Sequence, residues 1–217
     1  MDKYSEYNKD KEKFQLERIA LFSDAVFAIA ITLLIIEIKI PEIHHDTISD
    51  KELWNVIIQM LPKFIGFFIS FFVIGLYWLA HHRIFNYVTG INNKLLWGNL
   101  LFLLPIVIMP FSTAFLSEFY DPSLKLPLAV YTVTICMAGF LNFRLWWMIG
   151  NVKNNLSQHL DKAHLRYNMV RSLTIPVIFL CAFLLSFVNA RIAYFIPLTT
   201  PFLIFILRKY YEKSLRG

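Results

Sequence analysis

Six stretches of mostly apolar residues run through this chain, each close to the length of about 20 residues that an α-helix needs to cross a bilayer. They cover residues 18–40, 56–80, 95–115, 126–148, 173–188 and 193–207. The last two are short and only four residues separate them, so we predict a tight helical hairpin there. Because lipid cannot satisfy backbone hydrogen bonds, the chain is predicted to be an all-α integral membrane protein.

The composition agrees with a chain that lies mostly in lipid. Hydrophobic residues make up 57% of the 217 residues and charged residues only 17%, with a mean hydropathy of +0.54. A soluble domain would be about half apolar and about a quarter charged. Residues 1–17 carry charges of both signs, so we interpret them as a cytosolic tail and not as a cleaved signal peptide. The interpretation is one six-span domain over residues 1–217.

The positions of the basic residues predict how the helices are oriented. With a cytosolic N-terminus, six spans return the C-terminus to the same side, and most of the 21 Lys and Arg residues become cytosolic. The exceptions are Lys39, Lys51, Lys63, Lys125 and Arg191. The positive-inside rule therefore favours a multi-pass protein of the cell membrane with both termini in the cytosol. The net charge of +6 is not clustered on one element and does not indicate nucleic-acid binding.

The first span opens with charged and polar side chains, which are expensive in a membrane unless they face protein or water. Arg18, Phe22, Ser23 and Asp24 form the pattern Arg-x3-Phe-Ser-Asp. Asp24 needs hydrogen-bond donors, and Arg18 lies about 120° away around the helix, so the donors are expected from other helices. The candidates are Trp78, His81, His82 and Asn99. A structural clamp and a direct role in transport are both open for this carboxylate.

One stripe of the first span carries large aliphatic side chains at a turn of about 100° per residue. The stripe contains Ile29, Leu33, Ile36, Thr32, Phe22 and Ala25, with Arg18 at its base. The helix is apolar all round, so periodicity alone does not tell which stripe faces lipid, protein or water. From the residues alone, the simplest interpretation is that these side chains face lipid or pack against neighbours.

The chain resembles the transmembrane protein 175 family of cation channels. The resemblance rests on the motif at residues 18–24 with the apolar run to Thr32, on Trp78-x2-His81-His82, and on Pro110-Phe111-Ser112-Thr113. The six-span layout extends it over almost the whole chain. The resemblance implies that the first helices of all the subunits together surround a central pore. A chain with one six-helix repeat looks like the prokaryotic form, which assembles as a homotetramer.

The resemblance also implies roles for individual residues. The narrowest point of the pore falls on Ile29, with Leu33 and Ile36 beyond it and Thr32 as a nearby polar layer. A cytosolic network that holds the pore helix is implied for Arg18, Phe22, Ser23, Asp24, Trp78 and His81. Glu37, and Glu42 beyond it, could raise the local concentration of cations at the outer mouth, although Glu37 could instead pair with Lys39.

The predicted function is passive conduction of potassium ions down their gradient. No Thr-Val-Gly-Tyr-Gly loop occurs, so the usual carbonyl filter of potassium channels is absent. Any preference for potassium over sodium must come from the hydrophobic constriction that the resemblance implies, and it should be modest. We expect no cofactor and no bound metal beyond potassium ions in transit. The expected partners are other copies of the chain, the lipid bilayer and monovalent cations.

A proton leak or proton-coupled transporter is the main alternative function. Asp24, Glu37 and the pair His81 and His82 could relay protons, and animal members of the family also pass protons. Against this, no titratable residue is predicted in the middle of a span, unless Arg144 lies deeper than its predicted place at the cytosolic end of the fourth span, and proton relays usually need one. An enzyme is not expected, because the chain has no His-Glu-x-x-His, no Gly-x-Ser-x-Gly and no phosphate-binding Gly-rich loop.

Overall fold

A computed structural model of the chain describes residues 3–41, 49–157 and 160–215, with side chains described within residues 10–211. The regular secondary structure of these residues consists of helices. In chain order the α-helices are α1 (Lys3–Ile36), α2 (Asp50–Gln59), α3 (Leu61–Phe85), α4 (Asn93–Glu118), α5 (Leu126–Gly150), α6 (Lys162–Leu185), α7 (Ala190–Ala193) and α8 (Thr200–Leu215). Two short 3-10 helices, Val152–Asn154 and Ile196–Thr199, precede α6 and α8.

Six helical segments are long and apolar enough to cross a membrane, which confirms the predicted all-α architecture. Five of them are formed by α1, α3, α4, α5 and α6. The sixth extends over Ala190–Tyr211 and combines α7, a 3-10 turn and most of α8. Because Pro197 and Pro201 each lack a backbone N–H, they occupy the 3-10 turn and the first turn of α8.

The first two predicted spans have different boundaries in the structure. Most of the predicted tail is helical, because α1 begins at Lys3, and α1 ends at Ile36 and not at residue 40. The predicted second span, 56–80, is divided at Met60. Residues 56–59 are the end of α2, and residues 61–80 are the greater part of α3. The apolar sequence continues through Met60 without a break. α2 begins before the apolar sequence does, because Ser49 forms a capping box on its first turn. Hydropathy therefore located the apolar part but not the helix ends.

The fifth span also begins earlier than predicted. α6 starts at Lys162 and not at residue 173, where the predicted span begins. The side chain of Asp161 accepts a hydrogen bond from the backbone N–H of Ala163 and so caps the helix. This backbone N–H also holds the pKa of the Asp161 carboxyl below its usual value. The capped helix thus begins about three turns before its apolar part, in more polar sequence.

The helices pack as a chain of neighbours, with α1 at one side of the bundle. α1 packs against α3 and α4, α4 packs against α5, α5 packs against α6, and α6 packs against α8. The buried face of α1 consists of Ser23, Phe27, Ala30 and Leu34, which follow the spacing of one helix face. Phe27 enters an aromatic cluster with Phe102 of α4. One face of α1 is therefore committed to its own subunit.

Buried hydroxyl groups join three helices in the middle of the bundle. The Ser70 hydroxyl of α3 lies 2.7 Å from the Tyr131 hydroxyl of α5 and 2.7 Å from the Thr113 hydroxyl of α4. The Tyr77 hydroxyl donates to the backbone carbonyl of Ile135 at 2.9 Å. These bonds satisfy groups that would otherwise be unpaired in an apolar interior, and they fix α3, α4 and α5 relative to one another.

Gly139 allows α5 and α6 to approach closely. A Cβ atom at this position would overlap the Pro176 ring and lie 3.0 Å from the Ser172 carbonyl oxygen, and neither can move without moving α6. We expect Gly139→Ala to destabilise the protein by about 1–3 kcal/mol, seen as a lower midpoint of thermal unfolding in detergent. Gly75→Ala is the matched control, because its added methyl meets no atom of another helix within 4 Å among the described residues. Equal losses in the two variants would contradict the close contact.

Candidate functional site

A polar cluster lies where α1, α3 and α4 meet, at the end of the bundle that is predicted to be cytosolic. Trp78 Nε1–H donates to Asp24 Oδ1 at 2.8 Å. His81 Nε2 lies 2.8 Å from Asn99 Oδ1, and Asn99 Nδ2 donates to Ser23 Oγ at 2.9 Å. We call these five residues the three-helix cluster. The structure therefore brings together four of the six residues assigned to the network from the sequence.

The direction of each hydrogen bond in the buried part of the cluster follows from Ser23. Its hydroxyl donates to the backbone carbonyl of Ile19 at 2.8 Å, so its lone pairs accept from the Asn99 amide nitrogen. The amide oxygen of Asn99 is left as the acceptor, and His81 must donate to it from a protonated Nε2. Ser23, His81 and Asn99 are all buried, so each bond satisfies a group that water does not reach.

Aromatic rings hold the His81 imidazole in place. It stacks on Phe102 with ring centroids 5.8 Å apart, lies 4.5 Å from the Phe85 ring and 5.7 Å from the Phe27 ring. These rings come from three different helices, so the position of the imidazole depends on all of them. The arrangement suits a rigid joint that fixes how α1 is rotated against α3 and α4.

Asn99 is the member of the cluster whose role the sequence did not give. It was predicted only as one of several candidate donors to Asp24, and the structure gives it His81 and Ser23 as partners instead. His82, another candidate, lies beside the Trp78 ring at 6.0 Å between centroids and is exposed. The available signal was the position of an amide side chain within the apolar third span, where an unpaired polar group is costly.

Arg18 and Phe22 are the two assigned residues that lie outside the three-helix cluster. Both line an open groove of about 590 Å³ between α1 and α4. The Arg18 guanidinium lies 6.0 Å from the centre of the Phe14 ring, and it makes no ion pair among the described residues. Both side chains are exposed in the single subunit. A role for them in holding α1 within its own subunit is therefore not supported by their contacts.

The aliphatic stripe of α1 lies on the side that does not pack against α3 and α4. Ile29 is 58% exposed, and Leu33 and Ile36 are also exposed. Thr32 is exposed too, and its hydroxyl donates to the backbone carbonyl of Ile29 at 2.9 Å. Its remaining lone pairs are free to accept or to coordinate a cation. In the single subunit this stripe faces away from the helix bundle.

The predicted outer end of α1 carries both acidic and basic side chains. Glu37 follows the last residue of α1 and lines a pocket of about 580 Å³ with Lys39, Lys63 and Glu118. Lys63 Nζ donates to Glu118 at 2.6 Å, whereas Glu37 forms no ion pair among the described residues, so the alternative pair with Lys39 is not formed. Glu42 lies outside the described residues. Within the ranges that the structure covers, no three metal-ligating side chains come together.

The Trp78–Asp24 hydrogen bond can be tested separately from the buried part of the cluster. Trp78→Phe keeps an aromatic ring beside His82 but removes the only donor that reaches Asp24 among the described residues. We expect a loss of about 1–2 kcal/mol in the free energy of unfolding, because the acceptor is charged but only half-buried. The measurement is thermal unfolding in detergent. Asp24→Asn is then made both in the parent and in the Trp78→Phe variant. If it lowers the free energy of unfolding equally in the two, the side chains of Asp24 and Trp78 are not coupled.

Comparison with known proteins places the chain among channel sequences. The family model described as "Endosomal/lysosomal potassium channel TMEM175" matches residues 18–110, which include the whole three-helix cluster and the aliphatic stripe. A protein of Streptomyces collinus named as a potassium channel is 33% identical over 156 residues, which is 71% of this chain and 74% of that protein. A protein of Chamaesiphon minutus with the same kind of name is 32% identical over 179 residues, covering 82% and 87%.

The fold agrees with a solved channel structure. The crystal structure of a lysosomal potassium-selective channel TMEM175 homologue from Chamaesiphon minutus matches with a TM-score of 0.70 and 29% identity, over 93% of this chain and 97% of that one. More distant vertebrate relatives carry a different name. The chicken (Gallus gallus) protein, named "Endosomal/lysosomal proton channel TMEM175", is 30% identical over 141 residues, which is 62% of this chain and 28% of that protein.

Proposed function

Because the chain belongs to the TMEM175 family of ion channels, we propose that it is a potassium channel whose subunits surround a pore lined by α1. The chain is a multi-pass membrane protein with six helices able to span the bilayer. Two bacterial relatives that it matches over most of their length are named as potassium channels. In this proposal the subunit is a single channel domain, works as a homotetramer in the cell membrane with both termini in the cytosol, and needs no cofactor.

The observation that carries the proposal is the two-faced packing of α1. One face, centred on Phe27 and Ala30, is buried against α3 and α4, whereas large aliphatic side chains on the opposite side are open in the subunit. Four copies of Ile29 around an axis would form a hydrophobic constriction, and such constrictions gate by dewetting. Leu33 and Ile36 would continue the apolar lining. Conduction through such a ring is passive, and its preference for potassium over sodium is modest.

The three-helix cluster supplies the rigidity that a narrow ring of side chains requires. Turning α1 by one residue, about 100°, would remove Ile29 from the axis and separate Ser23 from Asn99. The hydrogen bonds of Ser23 and Asp24 to α4 and α3 oppose that rotation. In this proposal Thr32 offers its oxygen to partly dehydrated ions, and Glu37 attracts cations at the outer mouth.

The test is the reversal potential of the purified protein in a planar bilayer, with potassium on one side and sodium on the other. A reversal potential shifted toward the potassium equilibrium potential is the expected result. Currents without any cation preference would leave a pore but remove its potassium character. The absence of current over many insertions, with protein shown to be incorporated, would overturn the proposed function.

Proton conduction is the second candidate, because the vertebrate relatives are named proton channels. The hydrogen-bonded series from His81 through Asn99 to Ser23 places a buried imidazole beside α1. Vesicles that contain a pH-sensitive dye and no potassium separate the two functions. Proton flux that falls in Asp24→Asn or His81→Phe, without a potassium current in the parent, would favour this candidate. Potassium current without proton flux would exclude it.

A further inference from the structure

A small cavity with basic walls lies away from α1, between α3, α5, α6 and α8. Its volume is about 20 Å³, which is room for about one water molecule or one ion of similar size. None of its lining residues belongs to α1. Its polar and charged lining residues include Arg83, Asn142, Asn168, Arg171 and Ser172. The cavity is therefore a polar site inside the bundle and separate from the proposed pore.

Asn142 is the most unusual residue of this cavity. Its side chain is completely buried on α5, and neither its amide nitrogen nor its amide oxygen has a hydrogen-bond partner among the described residues. Arg83 Nε is also buried and has no partner there. Leaving buried polar groups unpaired costs free energy, so nearly all such groups in native proteins have a partner. Two of these three unpaired groups, the Asn142 amide nitrogen and Arg83 Nε, are donors, so a ligand that accepts hydrogen bonds in the cavity they line would satisfy both.

The charge of the cavity gives the sign of that ligand. Arg83 and Arg171 both line the cavity, and the described lining contains no Asp or Glu. Arg171 is held from one side by Tyr167, which accepts a hydrogen bond at 3.2 Å and places its ring 5.9 Å from the guanidinium. Two guanidinium groups in a site of low dielectric constant repel each other, and each presents only donors. An anion between them removes the repulsion, which a water molecule does not.

We propose that this cavity binds one monatomic anion of the size of chloride, held by Arg83, Arg171 and the Asn142 amide. The volume decides between the possible anions, because a phosphate group or a lipid headgroup is too large for a space of about 20 Å³. The anion would tie α3, α5 and α6 together at a site that no residue of α1 lines. Its role is structural, and the proposal does not depend on which cation the pore conducts.

The test is thermal unfolding of the purified full-length protein in detergent, with chloride replaced stepwise by gluconate at constant potassium concentration. We expect the midpoint to rise with chloride and with bromide by at least about 2 °C and then to saturate. Arg83→Gln should remove this dependence, whereas Arg208→Gln, an exposed arginine of α8, should keep it. Crystals grown with bromide should show an anomalous peak between Arg83 and Arg171.

Two results would overturn the proposal. A parent midpoint that does not respond to halides, with no bromide peak, would mean that the cavity holds water only. A rise with phosphate but not with halides would point to a larger ligand at the mouth of the cavity. The parent titration and the bromide peak need no variant, so a variant that fails to fold does not obscure the result.

Discussion

Ile29→Asn is expected to raise potassium flux through the reconstituted protein by at least about tenfold. In the proposed pore, four isoleucine side chains form the narrowest ring, and an ion must shed water to pass it. Four amide side chains of similar size would hydrate the ring and lower the barrier. A reduction of about 1.4 kcal/mol is sufficient for a tenfold change in rate. The measurement is potassium-driven flux into liposomes, normalised to the amount of incorporated protein.

Ile35→Asn is the matched control for this experiment. It makes the same chemical change on the same exposed helix, 47% exposed in the subunit, but about 120° further around the axis of α1. This position should leave flux close to that of the parent, since its side chain would not reach the pore axis. If Ile35→Asn raises flux and Ile29→Asn does not, a different stripe of α1 lines the pore. If neither changes flux, α1 does not carry the constriction.

Asn99→Leu is expected to cause the largest loss of stability among substitutions in the three-helix cluster. It removes two interhelical hydrogen bonds and leaves the buried side chains of His81 and Ser23 without these partners. A buried unpaired group costs about 1–3 kcal/mol, whereas a hydrogen bond between membrane helices contributes about 0.6 kcal/mol on average. The value of about 0.6 kcal/mol is small because polar groups also find partners in the unfolded chain. Since Asn99→Leu removes two such bonds and also leaves buried groups unpaired, we expect a total loss of about 2–3 kcal/mol. Thermal unfolding in detergent measures it.

A triple variant provides the control for the Asn99 experiment. His81→Phe and Ser23→Ala, combined with Asn99→Leu, remove all three polar side chains at once, so no buried group is left unpaired. We expect the triple variant to recover most of the stability that Asn99→Leu loses. If the triple variant is instead less stable than Asn99→Leu, by the sum of the losses that His81→Phe and Ser23→Ala each cause alone, the three side chains act independently. Flux measured on the same samples would show whether α1 still holds its rotation.

Part of the site could be predicted because chemistry limits it to few solutions. A carboxylate at the start of a membrane helix needs a donor, and the sequence offered only a short set of candidates at the correct depth. Trp78 is that donor in the structure. The partners of His81 and Ser23 could not be assigned in the same way, because Asn99 can donate and accept in several geometries. Only the positions of three helices select one of them.

The cavity between Arg83 and Arg171 shows the limit of sequence reasoning more clearly. The two arginines are far apart in the chain, and the positive-inside count treats them simply as charges at helix ends. Asn142 lies in the apolar run of the fourth span, and Arg144, the nearest charged residue along the chain, does not line the cavity. Their common cavity exists because α3, α5 and α6 cross at that depth. No pattern along one helix contains that information.

By itself, the sequence predicted the number of membrane helices, the all-α class and the family, and the resemblance to that family implied the stripe of α1 on which the proposed constriction lies. These follow from hydropathy, helical periodicity and a short motif, which are all local along the chain. The tertiary structure decided where the helices begin and end, which side of α1 is buried, and which polar groups pair. Those features depend on caps and on contacts between distant segments, because in lipid a polar group is stable only where another helix supplies its partner.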